Sequence, residues 1–185
     1  MKSMRKLFLL LLLLITWASV FQVHAETADI TSLKNYVLGV GDKIRIQVYD
    51  EPDLYLETRL DDSGVISYPF LGKLSVLNKT PGQLEEQITD GLKGDYLVNP
   101  KVTVDIIEYR HFYVNGEVNS PGGYPFQPGI TVRKAISIAG GFTKVAAKDK
   151  VFIIHEDKPD AKPQKISLDD TLSPGDIITV EESFF

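Results

Sequence analysis

The stretch Thr80-Pro81-Gly82-Gln83-Leu84-Glu85-Glu86-Gln87-Ile88-Thr89-Asp90-Gly91-Leu92, with Gly94 after it and then Asn99-Pro100-Lys101-Val102-Thr103-Val104-Asp105-Ile106, decides the fold class. Thr80 is a helix-capping residue, Pro81 suits the first helical position, and Gln83 is placed to reach back and complete a capping box. Leu84, Ile88 and Leu92 recur every four residues and so share one helix face, and Gly94 supplies the stop. Asn99-Pro100 then forces an extended start, after which Val102, Val104 and Ile106 alternate with Lys101, Thr103 and Asp105 as a half-buried strand requires. A short capped helix that hands the chain straight to a strand predicts an α+β protein.

Upstream, Lys43-Ile44-Arg45-Ile46-Gln47-Val48-Tyr49 alternates strictly with its even positions apolar, and Leu54, Leu56 and Leu60 continue the alternation. Asp61-Asp62-Ser63-Gly64 reads as a turn, Val65 to Phe70 as the second strand of a hairpin, and Gly72 as another bend. Downstream, the pattern restarts near Arg110. A strand is expected over Phe112 to Val118, a turn over Asn119 to Gly123, and a helix over Thr131 to Ala139 with Val132, Ala135, Ile136 and Ala139 inward and Gly140-Gly141 as its end. Val151 to Ile154 is a short buried strand, Glu156 to Pro163 a charged loop, Ile166 and Leu168 a short strand, and Ile177 to Val180 the last. Two strand–helix–strand units of about 75 residues follow one another, small enough that packing on each other or on neighbouring subunits is expected. Gly41-Asp42-Lys43-Ile44-Arg45-Ile46 and Gly175-Asp176-Ile177-Ile178-Thr179-Val180 echo each other, which we read as shared turn chemistry ahead of a strand in preference to an internal duplication.

The chain begins with Lys2, Arg5 and Lys6, an unbroken apolar run from Leu7 to Ile15, and the small-residue ending Val23-His24-Ala25, the pattern of a secretory signal cleaved between Ala25 and Glu26. Thr16, Ser19, Gln22 and His24 keep the apolar stretch below the roughly 20 residues of a spanning helix. Loss of the three leader cations reduces the 20 basic residues to 17 against 25 acidic ones, so the mature chain is acidic and nucleic acid is not an expected partner. No cysteine occurs in the 185 residues, so the core is expected to hold by packing alone and no residue is available to carry an acyl lipid. A periplasmic location follows.

No catalytic signature stands out. His111 and His155 are far apart with no paired ligand spacing, which argues against zinc, and no Gly-x-Ser-x-Gly elbow exists. Asp61-Asp62, Asp169-Asp170 and Glu181-Glu182 sit in polar punctuation, whereas glycosidase carboxylates must converge across a cleft. Gly122-Gly123 and Gly140-Gly141 lack the rest of a phosphate-binding loop. No enzyme, metal or cofactor is expected. Tyr109, Phe112, Tyr113, Tyr124, Phe126 and Phe184-Phe185 cluster in the second half; core packing is the first reading for the phenylalanines, while the tyrosines are open to sugar contact.

Tyr36-Val37-Leu38-Gly39-Val40-Gly41-Asp42-Lys43-Ile44, then Asp62-Ser63-Gly64-Val65-Ile66-Ser67-Tyr68-Pro69-Phe70-Leu71-Gly72 and Tyr96-Leu97-Val98-Asn99-Pro100-Lys101-Val102-Thr103-Val104, resemble the export domain of the outer-membrane polysaccharide export family. Val114-Asn115-Gly116-Glu117-Val118-Asn119-Ser120-Pro121-Gly122-Gly123-Tyr124 and Ala139-Gly140-Gly141-Phe142-Thr143 resemble the soluble-ligand-binding β-grasp domain that follows it in that family. The resemblance implies two small β-rich domains after a polar lead-in over 26–35. These are an export domain over 36–109, with a mixed sheet and one helix, and a β-grasp domain over 110–185. It implies a non-enzymatic, ring-forming homo-oligomer that conducts polysaccharide, working with a separate outer-membrane pore protein and an inner-membrane polysaccharide co-polymerase. Larger members add a lipidated Cys, further β-grasp domains and a C-terminal membrane-crossing helix. Without a Cys and ending soon after a strand, this chain is expected to reach the outer membrane through partners. The alternative is a periplasmic module that binds a glycan or small ligand without forming a conduit.

Overall fold

The computed structural model describes residues 36–183. The expected cleavage point at Ala25 and Glu26, and the terminal Phe184-Phe185, lie outside the described residues. Strand β1 (Lys43–Val48) forms where the alternation places it, with Ile44, Ile46 and Val48 buried. Asp50 then takes a positive φ of 64° and Pro52–Leu54 forms a single 3₁₀ turn, so the chain reverses. Of the leucines expected to prolong β1, Leu54 therefore ends the 3₁₀ turn, Leu56 opens a separate strand, β2 (Leu56–Arg59), antiparallel to β1, and Leu60 follows that strand.

Strand β3 (Val65–Tyr68) does not pair with β2 as the expected hairpin. It pairs with β4 (Gly72–Ser75) across the Pro69-Phe70-Leu71 turn, and Phe70 lies in that turn and not in the strand. Alternation identifies a strand and its inward face but carries no information on its partner. Helix α1 (Pro81–Leu92) matches expectation in every part: the Thr80 hydroxyl accepts from Gln83 N, Gln83 Oε1 accepts from Thr80 N, and Leu84, Ile88 and Leu92 are fully buried. Burying each contributes about 1.5–3 kcal/mol. The helix packs on β5 (Val102–Glu108), which pairs antiparallel with β1 and forms one edge of the sheet β2-β1-β5. Glu85 covers part of that edge, accepting from Val104 N at 2.8 Å. Both export-domain sheets are thus antiparallel throughout, not mixed: β2 and β4 each return directly on the strand before them, and β5, which reaches β1 only after β3, β4 and α1, also runs antiparallel to it.

The mixed sheet belongs to the second unit. Its order is β7-β6-β10-β8-β9, where β6 is Phe112–Gly116, β7 Gly122–Tyr124, β8 Ala146–Ile154, β9 Gln164–Lys165 and β10 Ile177–Glu182. Strands β6 and β10 run parallel and all other pairs antiparallel. Helix α2 (Val132–Ile138), capped by Thr131 Oγ1 accepting from Lys134 N at 3.3 Å, buries Val132, Ala135 and Ile136. The parallel pair needs Gly116, since its φ is 79° and a Cβ there would collide with the Val180 carbonyl. That glycine also ends β6 before Val118, shorter than expected. Strand β8 begins five residues earlier than its apolar run, because pairing of Ala146 with Glu182 draws the polar Lys148-Asp149-Lys150 into the strand. Strand β9 lies just upstream of Ile166 and Leu168, which instead pack half-buried on the core; Leu168 O accepts from Arg133 N at 2.8 Å at the start of α2.

Two apolar clusters result, one centred on Ile44, Ile46, Leu84 and Ile88 and the other on Phe112, Val114, Val132 and Ile178. Tyr109, in the three-residue link between β5 and β6, packs against both.

Candidate functional site

The two echoing Gly-Asp pairs prove to be two instances of one turn. In the first, Asp42 N donates to Gly39 O at 3.3 Å, Gly41 takes φ 94°, and the Asp42 carboxylate accepts from Gly39 N at 2.8 Å. In the second, Asp176 N donates to Ser173 O at 3.3 Å, Gly175 takes φ 88°, and the Asp176 carboxylate accepts from Ser173 N at 2.7 Å. Each turn launches a central strand of its sheet. Both carboxylates are buried, Asp42 at 0% exposure, and they are the only buried charged residues among those described.

A buried carboxylate must be met by donors. Asp42 receives the Tyr36 hydroxyl at 2.7 and 2.8 Å, Arg110 N at 2.8 Å and Arg110 Nη1 at 3.0 Å. Arg110 Nη1 also donates to the Tyr36 oxygen at 2.6 Å, and Arg110 Nε pairs with Glu156 beside the second turn. Burial, followed by the hydrogen bond to Asp42, pushes the Tyr36 hydroxyl far above its ordinary range. Burial opposes the Arg110 charge, but Tyr36, Asp42 and Glu156 outweigh it and hold its pKa above the ordinary value. Asp176 is raised by burial, against which Ser173 N and His155 work; His155 Nδ1 lies 2.9 Å away. Arg110 therefore ties the first turn to the second through Glu156, and Gly39 and Gly175 leave room for these side chains where a Cβ would meet them.

Beside this junction lies an open cleft of about 470 Å³ whose lining includes Arg59, Glu108, Tyr109, His111, Phe126 and Gln127. The Tyr109 ring meets Tyr36 edge-on at 5.1 Å and Phe126 at 5.5 Å, while Arg59 is paired with Glu108. Aromatic walls with a polar rim suit a polar ligand held by contact. Among the described residues no hydroxyl is bonded to either histidine, and no group of three or more His, Asp or Glu could hold a metal ion.

The aromatic residues singled out in the sequence do not form one site. Phe112 and Phe126 are core, Tyr124 donates to Ser120 O, Tyr113 stands exposed, and among the described members of the set only Tyr109 and Phe126 reach the cleft. The paired acids stay in turns and strand ends: Asp61 accepts from Ser63 N, Asp170 from Ser167 N, and Asp169 pairs with Arg133. Sequence reasoning passed over Asp42, Arg110 and Glu156, whose partners are 46 to 68 residues apart. It also passed over the exposed rings of the first unit, Tyr49, Tyr55, Phe70 and Tyr96. For Phe70 and Tyr96 a signal was present, since Phe70 stands in a Pro-x-x-Gly turn and Tyr96 just after a helix stop, neither of them core positions.

Comparison with known proteins agrees with this two-unit division. Residues 31–107 match the model of the polysaccharide biosynthesis/export protein family, and residues 111–166 that of the SLBB domain. The exopolysaccharide production protein ExoF of Rhizobium meliloti is 34% identical, the match covering 65% of this chain and 31% of ExoF. The EPS I polysaccharide export outer membrane protein EpsA is 28% identical in Ralstonia nicotianae and 27% in Ralstonia solanacearum, covering 39% and 40% of those proteins. The chain thus spans about a third to two fifths of the length of these relatives. The chain therefore carries a domain of the polysaccharide biosynthesis/export protein family over residues 31–107, followed by an SLBB domain over residues 111–166.

Proposed function

We propose that this protein is a periplasmic subunit of a capsule or exopolysaccharide export machine, forming part of a ring-like homo-oligomeric conduit. In this reading it binds and guides polymer without chemical turnover and associates peripherally with the outer membrane. Its partners are a separate outer-membrane pore protein and an inner-membrane polysaccharide co-polymerase. The observation that carries the reading is the export unit followed directly by the SLBB unit, supported by relatives named for exopolysaccharide production and export. Removing the gene should abolish polymer at the cell surface while lipid-linked sugar assembly continues; normal surface polysaccharide in a clean deletion lacking any paralogue sinks the proposal. Light scattering and electron microscopy of the purified protein test the ring.

The junction cleft favours a second reading, a module that holds a glycan fragment or small ligand without a conduit role. A monomer with saturable oligosaccharide binding lost on Tyr109→Ala would support it.

A further inference from the structure

The export unit displays aromatic rings that its core does not use. Phe70 is 64% exposed and Tyr96 48%, yet the rings stack on each other, centroids 4.9 Å apart and planes 28° from parallel, and Val98, two residues after Tyr96, is 92% exposed. Both rings stand on fixed backbone. Phe70 holds a positive φ of 63°, a conformation that a bulky residue rarely adopts and that concentrates at binding sites. Leu71 N donates to Pro69 O at 2.8 Å, and the Leu71 side chain lies over Gly91 of α1, where a Cβ would stand 2.9 Å from it, so the turn closes on the helix because position 91 is glycine. Tyr96 follows the end of α1, with Leu97 N donating to Leu92 O at 2.9 Å and Gly94 N to Leu97 O at 2.8 Å.

A second station lies along the same segment. Val48 pairs with Val102, so the end of β1 meets the start of β5, and Tyr49 N donates to Lys101 O at 2.9 Å. Tyr49 is 78% exposed, with the Lys101 ammonium 5.7 Å from its ring centroid. Residues 96 to 101 run from one station to the other, a span of at most about 18 Å in extended chain.

We propose that Phe70–Tyr96 and Tyr49 form a glycan-stacking strip, on which successive pyranose units of one polymer chain lay their C–H faces. The proposal rests on the polysaccharide-export reading and names where the polymer touches the export unit. A ring face carries negative quadrupole charge and attracts the positive edge of C–H bonds, while the sugar hydroxyls remain free for the rim, where Lys73, Lys93, Asp95 and Asn99 are exposed. The exposed surface of Phe70, Tyr96 and Val98 is roughly 400 Å², about half of what a stable protein interface takes from each partner. Charges of both signs around the rings produce no strong field, so binding should change little with salt. Two stations on one polymer raise the effective concentration at the second, so long chains should bind far better than short ones.

The test is affinity electrophoresis and titration of the purified protein with the exopolysaccharide of the producing strain and with size-fractionated oligosaccharides cut from it. The expected result is a loss of at least tenfold in affinity in Phe70→Ala/Tyr96→Ala, a smaller loss in Tyr49→Ala, near-normal binding in Phe70→Trp, and little difference between 50 and 500 mM salt. All variants should melt close to the unaltered protein because the rings are outside the core, and Phe70→Gly should melt at or above it. Unchanged binding in the double variant overturns the proposal, as does an altered oligomeric state with unchanged binding, which would assign the patch to a second copy of the chain. Absence of any polymer binding also overturns it; the export reading then stands or falls separately on the gene-deletion phenotype.

Discussion

Arg110 binds Asp42 twice, through its backbone N–H at 2.8 Å and through its guanidinium at 3.0 Å, although Asp42 belongs to the export unit and Arg110 to the link between the two units. Residue 110 falls between the two family matches, which end at 107 and resume at 111. The backbone half of this contact survives any substitution other than proline, whereas the side-chain half neutralises a fully buried carboxylate.

Arg110→Ala should therefore destabilise the protein by about 3 kcal/mol, the usual cost of leaving one buried charge without its partner. Urea unfolding should also split from one transition towards two as the halves lose their tie. Glu156→Gln, altering the exposed end of the same chain of contacts, should cost less than about 1 kcal/mol. Equal effects of the two changes would show that the guanidinium serves the surface and not Asp42.

Tyr36→Phe keeps the ring and removes a hydroxyl that both donates to Asp42 and accepts from Arg110, so a loss of about 1–3 kcal/mol is expected at neutral pH. Because the folded protein holds the Tyr36 proton far more tightly than the unfolded chain, its contribution is fully present below pH 10.0 and is lost as pH rises above it. Melting curves between pH 8 and 11 should fall more steeply for the unaltered protein than for the variant. Tyr68, whose hydroxyl donates to Leu54 O and is pushed up to about 12 by burial, contributes in the same direction and is present in both proteins.

Asp176 follows the same sign in a lower pH range. Its folded pKa lies above the ordinary 3.8, so its protonated form is the better tolerated one, and the stability it contributes below that value is lost as pH rises through the folded pKa. Asp176→Asn can still accept from Ser173 N. The stability difference, unaltered protein minus variant, should shrink as pH rises above 3.8 in parallel urea titrations; a difference that grows would mean that His155 and Ser173 outweigh burial.

Gly116→Ala forces a side chain into the Val180 carbonyl at a positive φ. We expect a loss of about 3 kcal/mol or more, confined to the second unit and seen as accelerated amide exchange at Thr179 and Val180. Gly129→Ala, also at positive φ but with open space around it, should cost about 1 kcal/mol.

What could be read in advance follows the range of the interactions. Helix α1 was legible to the residue because a capping box and a four-residue apolar repeat are complete within thirteen positions. The inward faces of β1, β5 and α2 were equally local. The partner of β3 was not, because the sheet it joins depends on the Asp50 reversal and the Pro69-Phe70-Leu71 turn, neither of which changes the alternation. At the junction the Gly-Asp turns were visible as turns. Their burial was not, since Asp42 is met by a residue 68 positions away and Asp176 by one 21 positions away.

The parallel alignment of β6 with β10 has a geometric consequence for the molecule as a building block. The chain enters the SLBB unit at Phe112, next to the junction, and β10 runs in the same direction, from Ile177 opposite Tyr113 to Val180 opposite Gly116. The backbone at Glu182 therefore points away from the export unit, about 20 Å further along the strand axis. A unit whose inlet and outlet lie at opposite ends can be concatenated, each added copy advancing the chain by its own length. A unit with adjacent ends would fold each addition back on the last. Lengthening a protein built this way extends its reach along one axis and leaves the Asp42–Arg110 joint at its base unchanged.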